Sequence, residues 1–485
     1  MRSFKALWLV SAFLLVQALN VEGQTSDWLS MDKGLRCDTL SFNGVNYVTI
    51  DTLTGVVYVT GPGINDGYCN DIGEVAQWNG VEWLPVGSGG LGATLISSAP
   101  TLYNNELIMT GPFIHASGNA PWSWINAWDG SDWDTIPGGP NRQVFDYLEY
   151  QEKLYAAGRF DYCGGVNTEL ACVYDGEAWE PLEAITGVQG NTYALCEYQG
   201  EVYIGGNMNF EDFNGDSIRH LTKWDGEHFR KVGQGFDYYP FGGVSDMAVL
   251  NDTLYIGGQM KLPGSNEYHW LVTFDGDSLR PANPMPNDEV HRLKVHNNAI
   301  YASGGFTEIG DVEAEHLARY DGVEWIAINA DSAIRKDDIY MGFQYSTTFR
   351  DFEIMNDTLY ACGGFYRMNQ DTMRYVAKLN KNLTTDFPPP ATNTEENEFE
   401  SFNFNLYPNP SPGSLTFSWR QPAAGAVSYR ITDARGRVVQ HSPPAQYQSG
   451  KHEETLSLGQ LSVGTYFIRL VTPSGVATKR WVRME

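Results

Sequence analysis

The residues of this chain best suited to chemistry are aromatic side chains set beside polar ones, and the chemistry they suit is recognition. Three stretches stand out. Residues 115–124 read HASGNAPWSW and carry Trp122 and Trp124. Tyr238, Tyr239 and Phe241 follow Phe236 in a second stretch, and Arg335, Lys336, Asp337, Asp338, Tyr340, Phe343 and Tyr345 crowd a third. Exposed rings with polar neighbours suit sugar faces or peptide side chains; the competing reading is that they pack their own loops. Asp212, Asn214 and Asp216 alternate like calcium ligands, but position six is Ser217 and position twelve is Lys223, where an EF-type loop needs Gly and Glu. The 9 His show no metal-ligand spacing. There is no nucleophile elbow or phosphate loop. The sequence therefore points to no catalytic residue, metal or cofactor.

A repeat positions these stretches. Seven copies align on Tyr58, Ile108, Tyr155, Tyr203, Tyr255, Tyr301 and Tyr360, spaced 50, 47, 48, 52, 46 and 59 residues apart. Three or four residues before each anchor lies a pair such as Asn104-Asn105, Asn251-Asp252 or Asn356-Asp357 between apolar alternating runs, the mark of a two-residue hairpin. A second marker follows 20 to 22 residues after each anchor: Asn79, Asp129, Asp175, Asp225, Asp275, Asp321 and Asn380, with Gly next in six of the seven. This predicts a second tight hairpin, and a Trp, Phe or Leu beyond it opens another short strand. Each copy thus reads as four antiparallel strands in about 50 residues, the period of a propeller blade. Both tight turns of every copy fall on one rim. The long second-to-third-strand loops and the links between copies then share the opposite rim, and all three aromatic stretches with them.

The motifs LYACGGF (359–365) and ARYDGVEW (318–325) resemble kelch-type, galactose-oxidase-like β-propeller repeats. The chain departs from that pattern in placing Gly directly after the Asp. The resemblance implies a propeller over residues 24–386 and nothing definite about function, because propellers host many chemistries. Copper chemistry of the galactose-oxidase kind would need a Tyr/Cys/His set that spacing does not identify.

Arg2 and Lys5 precede an apolar run from 6 to 19 and a small residue at Gly23, which reads as a signal peptide over 1–23. The run is short for a membrane span, and no later one is apolar enough. Ser26-Asp27-Trp28 resembles Ser131-Asp132-Trp133, and the seventh copy has the poorest outer strand of its own. The segment around Trp28 is therefore expected to supply that strand and close the ring. Among 6 Cys in an exported chain, Cys37–Cys69 and Cys163–Cys172 are the expected disulfides, with Cys196 and Cys362 as buried free thiols.

Residues 387–402, rich in Pro and acids, read as a solvated linker. The charge then changes sign: residues 403–485 hold 9 Lys/Arg and 4 Asp/Glu, so of the total of −27 the first 402 residues carry −32. Alternating strands at 415–419, 429–432, 466–471 and 478–482 predict a small Ig-like β-sandwich. NLYPNPSPGSLTF (405–417), YRITDARGRVV (429–439) and LSVGTYFIRL (461–470) resemble the type A C-terminal sorting domain of Bacteroidetes type IX secretion substrates. The resemblance implies type IX secretion machinery as a partner, export to the outer-membrane surface or beyond, and removal of the domain.

The whole reads as an all-β chain, a seven-bladed β-propeller followed by a β-sandwich. The leading function is that of an exported binding protein for a glycan or protein ligand. A propeller-type glycan-active hydrolase or lyase is the rival, and a structural surface-layer component a third reading. The acidic body argues against nucleic acid and anionic membrane as partners.

Overall fold

The computed structural model describes residues 28–32, 34–35, 45–66, 68, 71–87, 98–113, 123–328, 349–365, 367–368, 371–372, 374–379, 381, 383, 404–408, 411–421, 424–433, 438–442, 445–472 and 475–484. The expected signal peptide, the linker, the pair Cys37–Cys69, and Trp122, Arg335, Tyr340, Phe343 and Tyr345 lie outside them. Two compact units divide the chain: Met1–Cys196 with Val202–Pro389, and Pro390–Glu485, with which the short segment Glu197–Glu201 is grouped.

The first unit contains seven four-stranded antiparallel sheets, one for each copy of the repeat. The fifth is representative: Gly243–Leu250, Thr253–Met260, His269–Phe274 and Leu279–Pro281, joined in chain order. Its first turn is Asn251-Asp252, with φ of 50° and 60°. Positive φ at both central positions is what a two-residue hairpin requires to match strand twist. Asn104-Asn105, Gln151-Glu152, Asn297-Asn298 and Asn356-Asp357 share that conformation.

The second turn is the expected tight hairpin, and the next strand opens at Leu279, four residues after Asp275. The turn is organised by a side chain: Asp275 Oδ1 accepts the N–H groups of Asp277 and Ser278 at 3.0 and 2.9 Å. Asn79, Asp129, Asp175, Asp225 and Asp321 do the same in five other sheets. The Gly that follows takes positive φ, 95° at Gly276, which explains the Asp-Gly signature.

The seventh sheet takes its outer strand from the beginning of the chain. Trp28–Ser30 pairs antiparallel with Val376–Leu379, Leu29 standing opposite Lys378. Trp28 is fully buried and stacks on Phe349 with ring centroids 5.3 Å apart. The next residue behaves as the repeat requires. Met31 O accepts the Trp83 indole N–H of the first sheet at 3.1 Å, as Val86 O accepts the Trp133 indole of the second sheet at 3.2 Å. Met31 and Leu35 share an apolar cluster with Val48 and Val59 of the first sheet and Cys362 and Val376 of the seventh. An edge that would otherwise stand open is thereby covered.

The sheets are clasped by carboxylates at one register position of the first strand. Asp146, Asp246 and Asp351 lie opposite Ala157, Gly257 and Cys362, each just after a bulge. Asp146 Oδ2 accepts the Leu195 N–H of the next sheet at 2.7 Å, Asp246 Oδ2 that of Leu293 at 2.8 Å, and Asp351 Oδ2 that of Val48 at 3.1 Å. The last of these joins the seventh sheet to the first.

The expected Cys163–Cys172 disulfide is not present, and both residues are free, buried thiols. Cys172 lies in the strand Ala171–Tyr174, paired with Ala156 and Pro181, and Cys163 is held in a turn with Val166. The two side chains share an apolar cluster, and burial pushes the Cys172 thiol well above its ordinary pKa. Neither Cys196 nor Cys362 is in a disulfide; Cys362 is buried as expected, whereas Cys196 is only half-buried.

The second unit has a three-stranded sheet (Asn405–Tyr407, Ser414–Gln421, Gly450–Ser457) and a five-stranded one built on Gly425–Asp433, Gly464–Thr472 and Gly475–Arg483. Leu415, Phe417 and Trp419 of the first sheet share one core with Ile431, Ile468, Leu470 and Trp481 of the second. Ser411 is pinned to the final strand: the Trp481 indole donates to Ser411 Oγ at 2.9 Å, and Met484 N–H to Ser411 O at 2.9 Å. Among the described residues no helix is long and apolar enough to cross a membrane.

Candidate functional site

The link between the fourth and fifth sheets and the second-to-third-strand loop of the fifth meet on one rim, and their rings form a cluster. A backbone bridge from Asp237 to Lys261 fixes the two segments together. Tyr239 lies edge-on to Phe241 at 5.8 Å and tilted on Tyr268 at 5.1 Å; Tyr268 in turn stacks on Trp270 at 6.1 Å. The Lys261 ammonium lies 4.5 Å from the Tyr268 ring centre, a cation–π contact. Phe241 is 83% exposed, Tyr238 40% and Tyr268 36%, so the cluster presents aromatic faces to solvent. Phe236 is buried.

Beneath this surface His220 anchors the link. Its Nε2 accepts the Tyr239 N–H at 3.1 Å, and its ring stacks on Tyr238 at 5.7 Å. Burial lowers its pKa to about 4, so the imidazole is neutral at physiological pH. The neutral form suits the role, because an imidazolium could not accept that N–H.

Of the residues expected from sequence, the structure brings Tyr238, Tyr239 and Phe241 together. Trp124 stands half-buried at the start of Ser123–Trp128, on another sheet. Tyr268, Trp270 and Lys261 complete the cluster and were not singled out from sequence. Lys261 and Tyr268 lie in a loop of ordinary length and Trp270 at the start of the strand His269–Phe274 that follows it, on the rim that the repeat assigned to loops. Asp212, the metal-like position, organises a turn instead: its Oδ1 accepts the N–H groups of Asn214 and Asp216, both at 2.9 Å. Among the described residues no three His, Cys, Asp or Glu side chains converge as a metal site.

A second constellation lies where first strands of several sheets converge. Arg292, in the register position that Asp occupies elsewhere, places its Nε 3.3 Å from Asp351 Oδ1 and its guanidinium over the Tyr47 ring at 5.3 Å. Lys294 reaches Glu353 at 2.6 Å. Burial raises the pKa of Asp146 to about 7, the nearby Asp246 adds to the rise, and Arg292 and Lys294 oppose it. Burial likewise raises Asp246 and Glu353. Burial would lower Arg292 and Lys294, but the surrounding carboxylates more than offset it and hold both cations charged. Every one of these acids is committed to a backbone N–H or a cation, so the constellation reads as a strut between sheets.

With this geometry in place, the comparisons with known proteins divide sharply between tail and body. Residues 405–484 match the family described as the secretion system C-terminal sorting domain. The protein is exported. The tail carries the type IX sorting signal and destines the chain for the cell surface or the extracellular space.

A search of the curated proteins found no sequence match. Among solved structures the chain is similar to PorZ, described as an essential surface component of the type IX secretion system of Porphyromonas gingivalis. That likeness is 12% identical with a TM-score of 0.34, over 90% of this chain and 65% of that one; the chain thus spans about two thirds of that protein's length. The β-propeller domain of the Trilobed protease from Pyrococcus furiosus is 10% identical with a TM-score of 0.42, covering 70% of this chain and 96% of the domain. An α-L-arabinofuranosidase from Clostridium thermocellum is 10% identical with a TM-score of 0.24, covering 58% and 90%. Likenesses with TM-scores this low say nothing about the ligand or chemistry of this chain.

Proposed function

We propose that the mature body is a seven-bladed β-propeller, closed by Trp28–Ser30, that works as an exported binding protein for glycans. The sorting domain, read as an Ig-like sandwich, delivers it through type IX secretion. The observation that carries this reading is the cluster of exposed Phe241 and Tyr268 on half-buried Tyr239 and Trp270, with Lys261 beside it. Rings of this kind cover the apolar face of a pyranose, while tyrosine hydroxyls and the ammonium serve its hydroxyl groups. Both segments are braced by His220 and the Asp237–Lys261 backbone bridge, so little ordering is required on binding.

Hydrolysis would need two free carboxylates about 5–9 Å apart in a cleft. What supports binding instead is that Asp161 and Glu169, the acids lining the cavity between the third and fourth sheets, are each tied to neighbouring groups of the protein. A polysaccharide array probed with the secreted protein and with Phe241→Ala/Tyr268→Ala tests the proposal. Each ring contact contributes about 0.5–1.5 kcal/mol beyond area burial, so binding to the strongest wild-type glycan should fall about tenfold or more. Unchanged binding by the double variant would remove the cluster from the account, and the absence of any glycan bound by the wild type would remove the ligand class.

A further inference from the structure

A cavity of about 450 Å³ opens on the loop rim between the third and fourth sheets, lined in part by Arg142, Arg159, Asp161, Glu169 and Asn191. We infer that it is a second binding site, for a sugar acid whose carboxylate docks on Arg159. It shares no residue with the aromatic cluster and does not depend on it.

Its walls are already built. Asn141 Nδ2 donates to Asp161 Oδ1 at 2.6 Å, and the Asp161 N–H returns to Asn141 Oδ1 at 3.1 Å. Glu169 Oε2 holds the Val188 N–H at 2.6 Å, and Asn207 Oδ1 holds that of Asn191 at 2.7 Å. Arg142 is positioned by Asp161 at 3.0 Å. Arg159 is not so used: its backbone N–H bonds Gln143 O, but among the described residues its exposed guanidinium has no partner. Two arginines on one cavity are notable in a body carrying −32 over its first 402 residues. An unengaged guanidinium at a preformed cavity is a fork for a planar carboxylate.

The remaining lining decides the rest of the ligand. Asp161, Glu169 and Asn191 offer partners for ring hydroxyls, and the two acids disfavour a phosphate or a densely charged chain. The volume suits one or two sugar rings. A peptide C-terminus would also bring a carboxylate, but the cavity offers a peptide side chain little apolar wall: Phe160 is only 4% exposed.

Isothermal titration of the full chain with a panel of hexuronate disaccharides, their methyl esters, and a dipeptide with a free carboxyl end tests this. At least one hexuronate should bind, its methyl ester at least about tenfold more weakly, because a charge-assisted bond is lost. Arg159→Gln should lose the same factor while its unfolding midpoint stays put, since the guanidinium has no partner to leave behind. Phe241→Ala should leave this binding unchanged, which separates the two sites. The inference fails if no hexuronate binds, if acid and ester bind alike, if Arg159→Gln binds as wild type does, or if the dipeptide binds more tightly than any sugar acid.

Discussion

Asp146 gives the sharpest prediction, because its carboxylate is at once a clasp and a burden. Its two oxygens accept the N–H groups of Tyr147 at 2.9 Å and Leu195 at 2.7 Å, which ties the third sheet to the fourth. Burial and Asp246 nevertheless raise its pKa from 3.8 to about 7. A carboxyl with a raised folded pKa binds more protons folded than unfolded between those two values. Stability therefore falls as pH rises from about 4 to about 7 and is flat above. Three pH units at about 1.4 kcal/mol each set an upper bound of about 4 kcal/mol; the side chain is partly reached by solvent, and Arg292 and Lys294 face it, so the realised slope is smaller. Asp146→Asn removes the titration but keeps one acceptor where two are needed, costing about 1–3 kcal/mol at every pH. Urea unfolding at pH 4.5, 6 and 8 should show the variant clearly weaker than wild type at pH 4.5, with the gap narrowing by roughly 2 kcal/mol or more by pH 8. A gap constant across the range would refute the burial argument. A gap widening with pH would mean that the cations dominate the site.

Two further outcomes are expected from the packing. Trp28→Ala opens a cavity against Phe349 and loosens the strand that completes the seventh sheet, so it should cost about 3–5 kcal/mol in guanidinium unfolding; a cost below about 1 kcal/mol would contradict the burial of that strand. The thiols of Cys163, Cys172 and Cys362 are fully buried, and burial raises Cys172 and Cys362. They should resist iodoacetamide in the native protein and react fully only after denaturation, as read by intact mass; finding Cys163 and Cys172 already joined in the purified protein would overturn their description as free thiols.

Much of the architecture was legible because a repeat states the same local physics seven times. Asn251-Asp252 and its counterparts announce positive φ, and Trp28 announces itself by resembling Trp133. The Asp-Gly turns are legible as tight hairpins, but the Asp side chain that organises them is not, since its bonds to the turn N–H groups form only in the folded turn. Tyr238, Tyr239 and Phe241 could be found as a dense run. Tyr268 and Trp270 could not, because only the folded rim brings the end of an ordinary loop and the start of the strand after it beside that run. The acids and bases at the convergence of the sheets are separated by 46 to 100 residues, as Asp146, Asp246 and Arg292 show. Their meeting depends on strand register, and Arg292 breaks the Asp pattern that would have revealed it. Cys163 and Cys172 misled because nearness in sequence says nothing of sulfur geometry; one is locked in a strand, the other in a turn.

Completion of the last sheet by the beginning of the body is the central claim, and one cross-link tests it most directly. Leu29 and Lys378 stand opposite each other in the antiparallel pair, at a separation that a disulfide spans. In Leu29→Cys/Lys378→Cys, oxidation should join the two within a single chain, shown by a linked tryptic peptide and a raised unfolding midpoint. Leu29→Cys paired with Lys231→Cys on the fourth sheet should stay unlinked. Failure of the first pair to close, or equal closure of the second, would contradict the completed circle and with it the common rim on which both proposed sites lie.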